Sequence, residues 1–147
     1  MTNKPFRKFT ALLTLLVFCA VAAFATGPTP LSTQNLIQNN AVVSAGQLAI
    51  TFAACDNVNG NTFISTGREI LFVQNTDASP HTFTATPVTD PYGGTNTSLT
   101  NYSLAATGST GSYSAVQMKY QIGWVSGSTI ALTCSSNLIK FAVLQYN

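Results

Sequence analysis

The stretch Glu69-Ile-Leu-Phe-Val-Gln-Asn75 decides the fold class of this chain of 147 residues. Its apolar residues follow one another without interruption between polar ends, a pattern typical of a strand at the centre of a sheet. The segment Leu138-Ile-Lys-Phe-Ala-Val-Leu144 has the same character. Both segments are shorter than a typical helix and contain β-branched and aromatic residues, so they predict β-strands.

Shorter strand-like segments accompany these two, and clusters of Gly, Pro, Asn and Ser separate them. They cover residues 48–52, 62–65, 81–86, 99–106, 114–120, 122–125 and 129–134. No stretch after residue 25 has helical periodicity over several turns. Short strands at a spacing of roughly 8–12 residues predict an all-β, single-domain antiparallel β-sandwich or jelly roll. We expect its core to contain Phe72, Trp124 and Phe141.

The first 25 residues have the order of regions of a secretory signal peptide. Lys4, Arg7 and Lys8 precede an apolar run over residues 11–24, and Ala23-Phe24-Ala25 supplies the small residues of a cleavage site. The apolar run is shorter than the ~20 residues that span a bilayer. We therefore expect cleavage after Ala25, no membrane attachment afterwards, and a secreted product that is extracellular or periplasmic.

Residues 26–46 form a predicted polar N-terminal arm, and residues 47–147 form the predicted sandwich domain. Without the Lys or Glu that usually protects a strand edge, such an arm can pair with another chain. It can also fold back as an edge strand on its own sandwich or stay disordered, and the sequence leaves these outcomes open. The arm has no charged residue, and its candidate apolar anchors are Leu36, Ile37, Val42 and Val43.

The charge balance argues against several classes of function. The chain has six Lys and Arg against four Asp and Glu, but three of the bases lie in the predicted signal, so the mature chain has 3 − 4 = −1. A charge-driven nucleic-acid binder needs clustered Lys or Arg, and the mature chain has no such cluster. A single histidine, His81, leaves little basis for metal or acid–base chemistry. We therefore expect no catalytic residue, no metal site and no cofactor.

Cys55 and Cys134 are the two cysteines that follow the signal. An exported chain meets an oxidising compartment, so the pair predicts a disulfide. The alternative is two buried thiols that pack as small apolar side chains.

Polar candidates for a site have simpler structural interpretations. His81 could act as a general base with Ser79 or Asp77, but triads are assembled from separate elements, which favours a surface histidine at the start of a strand. The segment Asp56-Asn-Val-Asn-Gly-Asn61 partly resembles a calcium loop, but Val and Gly occupy ligand positions, so it predicts a turn.

Aromatic residues provide the candidate binding surface. Trp124 lies between Ile122 and Val125, which favours a core position over a sugar-stacking platform. Four tyrosines could form an exposed patch, with packing at strand rims as the alternative: Tyr92, Tyr102, Tyr113 and Tyr120.

A series of short motifs occurs in a characteristic order: Gly67-Arg-Glu-Ile-Leu71, Asn75, Asp90-Pro-Tyr-Gly93, Asn101-Tyr102, Gly123-Trp124 and Lys140-Phe-Ala-Val143. This order resembles a group of small proteins that tailed phages and prophages encode. The resemblance covers residues 45–144 and implies an all-β virion structural or head-decoration protein. The chain departs from the group in carrying a signal peptide, and in having Gly94 where Arg often follows the Asp-Pro-Tyr-Gly turn.

These features predict a secreted, non-enzymatic protein that associates with itself or coats a larger protein assembly. The first alternative is an extracellular carbohydrate-binding module, which needs an aromatic ring lying flat and exposed. The second alternative is a small hydrolase, which needs a cleft that joins His81 to an acid distant in sequence.

Overall fold

The computed structural model of the chain describes residues 27–35, 50–90, 92–118, 125–126 and 129–146. The predicted signal peptide, Tyr120 and Trp124 lie outside the described residues. The described residues form eleven strands and no helix. The strands are β1 (Thr29–Pro30), β2 (Thr33–Asn35), β3 (Ala53–Ala54), β4 (Asn61–Ile64), β5 (Glu69–Asn75), β6 (His81–Ala85), β7 (Tyr102–Leu104), β8 (Tyr113–Met118), β9 (Val125–Ser126), β10 (Thr129–Cys134) and β11 (Ile139–Gln145).

The strands form two sheets that pack against each other. Sheet A has the order β1-β4-β10-β6-β7, and β9 also pairs with β10. Sheet B has the order β2-β11-β5-β8, and β3 also pairs with β11. The long ladders are antiparallel, whereas β1 lies parallel to β4 and β2 lies parallel to β11. The predicted all-β sandwich is confirmed, and both of its sheets are mixed.

The core lies between the sheets and takes alternate residues from each strand, because successive side chains point to opposite faces. Phe83 of sheet A and Phe141 of sheet B meet there with ring centroids 6.1 Å apart. Phe141 is 1% exposed, which confirms its predicted place. Other members of the core are Phe63, Ile130 and Leu132 from sheet A, and Leu71, Val73 and Val143 from sheet B.

The prediction that Phe72 belongs to this core is wrong. Phe72 pairs with Ala142 and Ala115 on the outer face of sheet B, where it is half-buried. Its neighbours Leu71 and Val73 face the core instead. An uninterrupted apolar run has apolar residues on both faces, so the run alone does not show which alternate set points inward.

Two predicted strands are displaced. Residues 50–52 are not in a strand, and the edge strand follows at Ala53–Ala54. The predicted strand over 99–106 shortens to Tyr102–Leu104, because residues 98–101 form a turn in which Asn101 has a φ of 51°. Alternation identifies residues that can form strands, but backbone pairing with a neighbour decides which of them do.

The described part of the N-terminal arm folds back onto its own sandwich. The backbone of Thr29 pairs with sheet A at Asn61, and the side chain of Leu31 is buried in the core. Strand β2 then pairs with β11 in sheet B, so the arm crosses from one sheet to the other. The Gln34 side chain ends this crossing with two hydrogen bonds to the backbone of Thr51, at 2.7 and 2.8 Å. The candidate anchors at 36–37 and 42–43 lie outside the described residues.

Candidate functional site

A disulfide joins Cys55 to Cys134 and links the two sheets. Cys55 follows β3 at an edge of sheet B, and Cys134 ends β10 in sheet A; their Cα atoms lie 6.5 Å apart. The predicted disulfide is therefore present, and the alternative of two free thiols is wrong. Disulfides persist in oxidising surroundings, which fits an extracellular type of compartment. Within the described ranges, no helix is long and apolar enough to cross a membrane.

Asp56 organises the turn that follows the disulfide. Its carboxylate accepts hydrogen bonds from the backbone amide of Asn59 at 2.9 Å and from the hydroxyl of Thr29 at 2.8 Å. These bonds, led by the one from the Asn59 backbone, lower the pKa of Asp56 to about 2. The predicted turn over 56–61 therefore has a second role, because it holds the start of the N-terminal arm.

Glu69 caps the turn between β4 and β5 from a fully buried position. Its carboxylate accepts hydrogen bonds from the amides of Thr66 and Gly67, at 2.9 and 3.0 Å, and from the hydroxyl of Ser65 at 3.2 Å. Burial raises the pKa of Glu69, but the hydrogen bonds, led by that from the Thr66 hydroxyl, outweigh it and hold the pKa below its usual value. The charge is therefore a structural part of this turn.

Asp77, His81 and Ser135 form a short chain of contacts beside β6. Nε2 of His81 donates to Oδ2 of Asp77 at 2.7 Å, and Nδ1 of His81 lies 3.2 Å from Oγ of Ser135. The hydrogen bond with His81 lowers the pKa of Asp77. Of the predicted partners of His81, Asp77 is present, whereas the serine comes from a separate strand end and is not Ser79.

The three residues are of the types found in a hydrolase triad, and the Ser135 hydroxyl also contacts the backbone of β6. Oγ of Ser135 accepts the amide of Thr82 at 3.0 Å, and the amide of Ser135 donates to the carbonyl of Thr82 at 3.0 Å. Ser135 therefore continues the ladder between β6 and β10 by one residue. We interpret the three residues as a link that fixes the loop after β10 to the start of β6.

Asp90 shapes an exposed turn at whose tip Tyr92 stands. Its carboxylate accepts the amides of Tyr92 and Gly94, at 2.8 and 2.7 Å. Gly93 has a φ of +82°, and a Cβ on Gly94 would lie 2.8 Å from Oδ2 of Asp90. A side chain at position 94 would therefore displace the Asp90 carboxylate from the place in which it accepts these amides.

All four Asp and Glu side chains thus accept hydrogen bonds from neighbouring groups of the fold. In the part of the chain that the structure describes, no group of three His, Cys, Asp or Glu residues is placed to hold a metal ion. Charged residues of either sign are few, so the described surface consists mainly of hydroxyl, amide and apolar side chains. A surface of this kind offers complementarity of shape and hydrogen bonding more readily than charge.

The described tyrosines of the candidate binding surface lie on three different elements. Tyr92 is 87% exposed at the tip of its turn, and Tyr102 lies on β7 with its ring 5.5 Å from that of Phe83. Tyr113 is 64% exposed on β8, where its hydroxyl accepts the Gln74 amide at 3.0 Å. Tyr102 belongs to sheet A and Tyr113 belongs to sheet B, and Tyr120 lies outside the described residues. A single surface formed by all four tyrosines stays a prediction.

The described surface includes a groove beside the arm and a smaller depression on sheet A. The groove has a volume of about 360 Å³ and is lined mainly by apolar atoms of the arm, β3 and β11. The smaller depression, of about 190 Å³, lies over β6 and β10, among polar groups that include Thr82, Thr133 and Ser135. Neither is lined by His81, Asp77 or a candidate tyrosine, so neither joins the candidate residues into a cleft.

The sheet edges differ in length. Sheet A ends in β1 and β7, which have two and three residues, and one side of sheet B ends in the short strands β2 and β3. The other side of sheet B ends in β8, an edge strand of six residues. Its sequence Tyr-Ser-Ala-Val-Gln-Met contains neither a charged residue nor Pro, the residues that usually protect an edge.

The chain matches no known protein family, no curated protein and no solved structure. Its function therefore has to be inferred from its own residues, and the resemblance to phage virion proteins stays a prediction.

Sequence reasoning missed two residues that position others. Ser135 meets His81 across 54 positions, and Gln34 meets Thr51 across 17. A polar side chain has no periodic signal that would indicate a distant backbone partner. The position of Ser135 directly after Cys134 was the one local hint, because it places the hydroxyl at the end of a core strand.

Proposed function

We propose that this protein is an exported, non-enzymatic structural protein that associates with itself or coats a larger assembly, in the manner of the phage virion decoration proteins that its sequence resembles. One observation carries the proposal: only three basic and four acidic side chains follow the predicted signal, so the surface has little charge. Low surface charge reduces the electrostatic barrier that otherwise keeps copies of a protein apart.

Export is part of the proposal. The predicted signal peptide would direct the chain out of the cytoplasm, and the disulfide between Cys55 and Cys134 suits an oxidising destination. Expression of the full chain in a secreting host tests this step. The intact mass of the exported protein should begin at Thr26, whereas an uncleaved or retained chain would contradict it.

Sedimentation velocity of the mature, oxidised protein tests association directly. We expect species larger than a monomer at tens of micromolar, and a Kd that changes less than about twofold between low and high salt, because neutral contacts are little screened. Negative-stain microscopy then separates closed oligomers from filaments or sheets. A monomer throughout this range would overturn the proposal, and a strong salt dependence would overturn its physical basis.

Carbohydrate binding is the second candidate, and the exposure of Tyr92 favours it. A sugar ring can stack on an aromatic face that is open to solvent. Retention of the mature protein on polysaccharide columns, compared with a Tyr92→Ala variant, tests this candidate. Equal behaviour of the two proteins would remove Tyr92 from it.

A further inference from the structure

We propose that strand β8 is the edge through which two copies of this chain join, by antiparallel, two-fold pairing with β8 of the second copy. The inference rests on the self-association proposed above and names the surface and the partner. It is argued from the direction of the backbone groups on β8, the residues along it, and the other sheet edges.

The hydrogen bonds between β5 and its neighbours show which way the backbone of β8 points. The Asn75 amide donates to the Ser112 carbonyl at 2.9 Å, so these two residues form a hydrogen-bonded pair of the ladder. Such pairs alternate along antiparallel strands. Ser114 and every second residue after it therefore direct their amides and carbonyls to β5, while Tyr113, Ala115 and Gln117 direct theirs outward.

The opposite side of β5 confirms this alternation. The Thr76 amide donates to the Leu138 carbonyl at 3.0 Å, so the even-numbered residues of β5 hydrogen-bond to β11 and the odd-numbered ones hydrogen-bond to β8. None of the described residues hydrogen-bonds the outward amides and carbonyls of β8. With respect to the described ranges, the edge therefore presents three amides and three carbonyls in the spacing of a strand.

This edge is complementary to itself about Ala115. In an antiparallel pair centred there, Ala115 faces Ala115 of the second copy, and Tyr113 faces Gln117 of the second copy. All three outward residues then form hydrogen-bonded pairs, each of which exchanges two N–H···O bonds. The contact is isologous, the usual arrangement of a closed dimer.

The residue on the two-fold axis suits this arrangement. A two-fold axis places identical side chains opposite each other, so a charged residue would meet its own charge. Ala115 is small, uncharged and exposed. The flanking side chains are already held over their own sheet, since Gln74 donates to the Tyr113 hydroxyl and Gln117 donates to the Tyr146 hydroxyl, each at 3.0 Å. Pairing would therefore require little new ordering of these two side chains.

The other described edge strands are shorter than β8, which favours β8 as the site of pairing. They have two or three residues, a length that natural sheets use to blunt an edge. Strand β8 is continuous over its six residues and is at least twice as long as each of these. A second copy pairing here would continue sheet B across the dimer.

Charge substitution at the axis tests the pairing in the mature protein. Ala115→Lys and Ala115→Glu should each weaken association by about tenfold or more, because like charges then face each other across the axis. An equimolar mixture of the two variants should recover a Kd within about threefold of the unsubstituted protein, since Lys then faces Glu. Ile64→Lys, on the exposed outer face of sheet A, is the matched control and should associate normally.

Amide exchange gives a second readout. On association, the amides of Tyr113, Ala115 and Gln117 should become protected, whereas those of Ser114 and Val116 are protected already in the monomer.

The outcomes distinguish failure of the β8 pairing from failure of the proposed function. If the unsubstituted protein is monomeric, both fail. If it associates but Ala115→Lys associates equally, or Ile64→Lys weakens association as much, the β8 edge is wrong and self-association stands. If both Ala115 variants are monomeric and the mixture does not recover, the two-fold register is wrong.

Discussion

The two sides of sheet B end in different ways. On one side, β11 is covered by β3 and β2, two short strands of opposite direction that come from separate parts of the chain. On the other side, β5 pairs with β8, a continuous strand whose outer edge is paired by none of the described residues. We call these the broken edge and the continuous edge.

The broken edge depends on tertiary contacts that the continuous edge lacks. The disulfide holds the chain just after β3, and Gln34 ties β2 to the segment that enters β3. Short strands of this kind cannot hold themselves in place by their few backbone bonds. The comparison teaches that substitutions at the broken edge should lower stability, whereas those at the continuous edge should change association.

Removal of the disulfide should have the largest effect. The bond closes a loop between residues 79 apart, which is worth up to about 4.5 kcal/mol in the loop-entropy account. We expect the double variant Cys55→Ala/Cys134→Ala to lose about 3–4 kcal/mol of unfolding free energy in urea titrations. The unsubstituted protein should lose a similar amount under reductant, and the variant should be insensitive to it. A loss below about 1 kcal/mol would show that the broken edge does not depend on the bond.

Glu69 is the first residue of β5, which is an interior strand of sheet B. Its substitution should give the next largest loss of stability. We expect Glu69→Gln to cost about 2–3 kcal/mol at neutral pH, because amides of the 65–68 turn lose a charged acceptor. The folded pKa lies below the ordinary value of 4.5, so the carboxylate stabilises the fold fully above that pH and loses its contribution as the pH falls through the folded pKa.

Urea titrations of both proteins from neutral to acid pH measure this dependence. The difference between the unsubstituted protein and Glu69→Gln should shrink as the pH falls below about 4.5. A difference that stays constant with pH would mean that the charge of Glu69 contributes nothing to the cost.

A glutamine near each edge allows the two edges to be compared by the same substitution. Gln34→Ala removes both bonds to the Thr51 backbone at the broken edge, and we expect a cost of about 1–2 kcal/mol. Gln74→Ala removes only a bond to the exposed Tyr113 hydroxyl, and we expect less than about 0.5 kcal/mol. Thermal unfolding and amide exchange at Thr51 measure the two costs. Equal costs would remove the distinction between the edges.

The smallest effect on stability should come from the continuous edge itself. Ala115 is exposed, so Ala115→Lys should change the unfolding free energy of the monomer by less than about 0.5 kcal/mol. Urea titration at a concentration where the unsubstituted protein is monomeric measures this. A larger loss would indicate that position 115 contributes to the fold of the monomer.

The sequence pattern correctly predicted the strands whose bounds are set by their own residues and the turns beside them. The bounds of β5 and β10 coincide with the predicted 69–75 and 129–134, since dense β-formers end at turn residues on both sides. Of the strand expected at 48–52, the described residues 50–52 are not in a strand, because β11 pairs with the chain at Ala53–Ala54 instead. Edge strands are therefore the hardest to place, as their few bonds depend on where a neighbour lies.

In the candidate site, too, local features could be predicted from the sequence and contacts between distant residues could not. The turns at 56–61 and 90–94 could be predicted, because Asp, Asn and Gly in those orders form turns by local hydrogen bonds. That Asp56 also holds Thr29, and that Ser135 meets His81, required the folded chain. Contacts between side chains far apart in sequence leave no periodic trace.

The sequence by itself determined that this protein is an all-β chain with little charge, two cysteines suited to a disulfide, and an arm without charged residues. These properties follow from composition and from alternation, which act over a few residues. Only the tertiary structure decided that Leu71 and not Phe72 faces the core, that the start of the arm folds back, and that β8 is the longest edge strand among the described residues. Each of these depends on which strands become neighbours, because facing, pairing and exposure are properties of two segments at once and not of one.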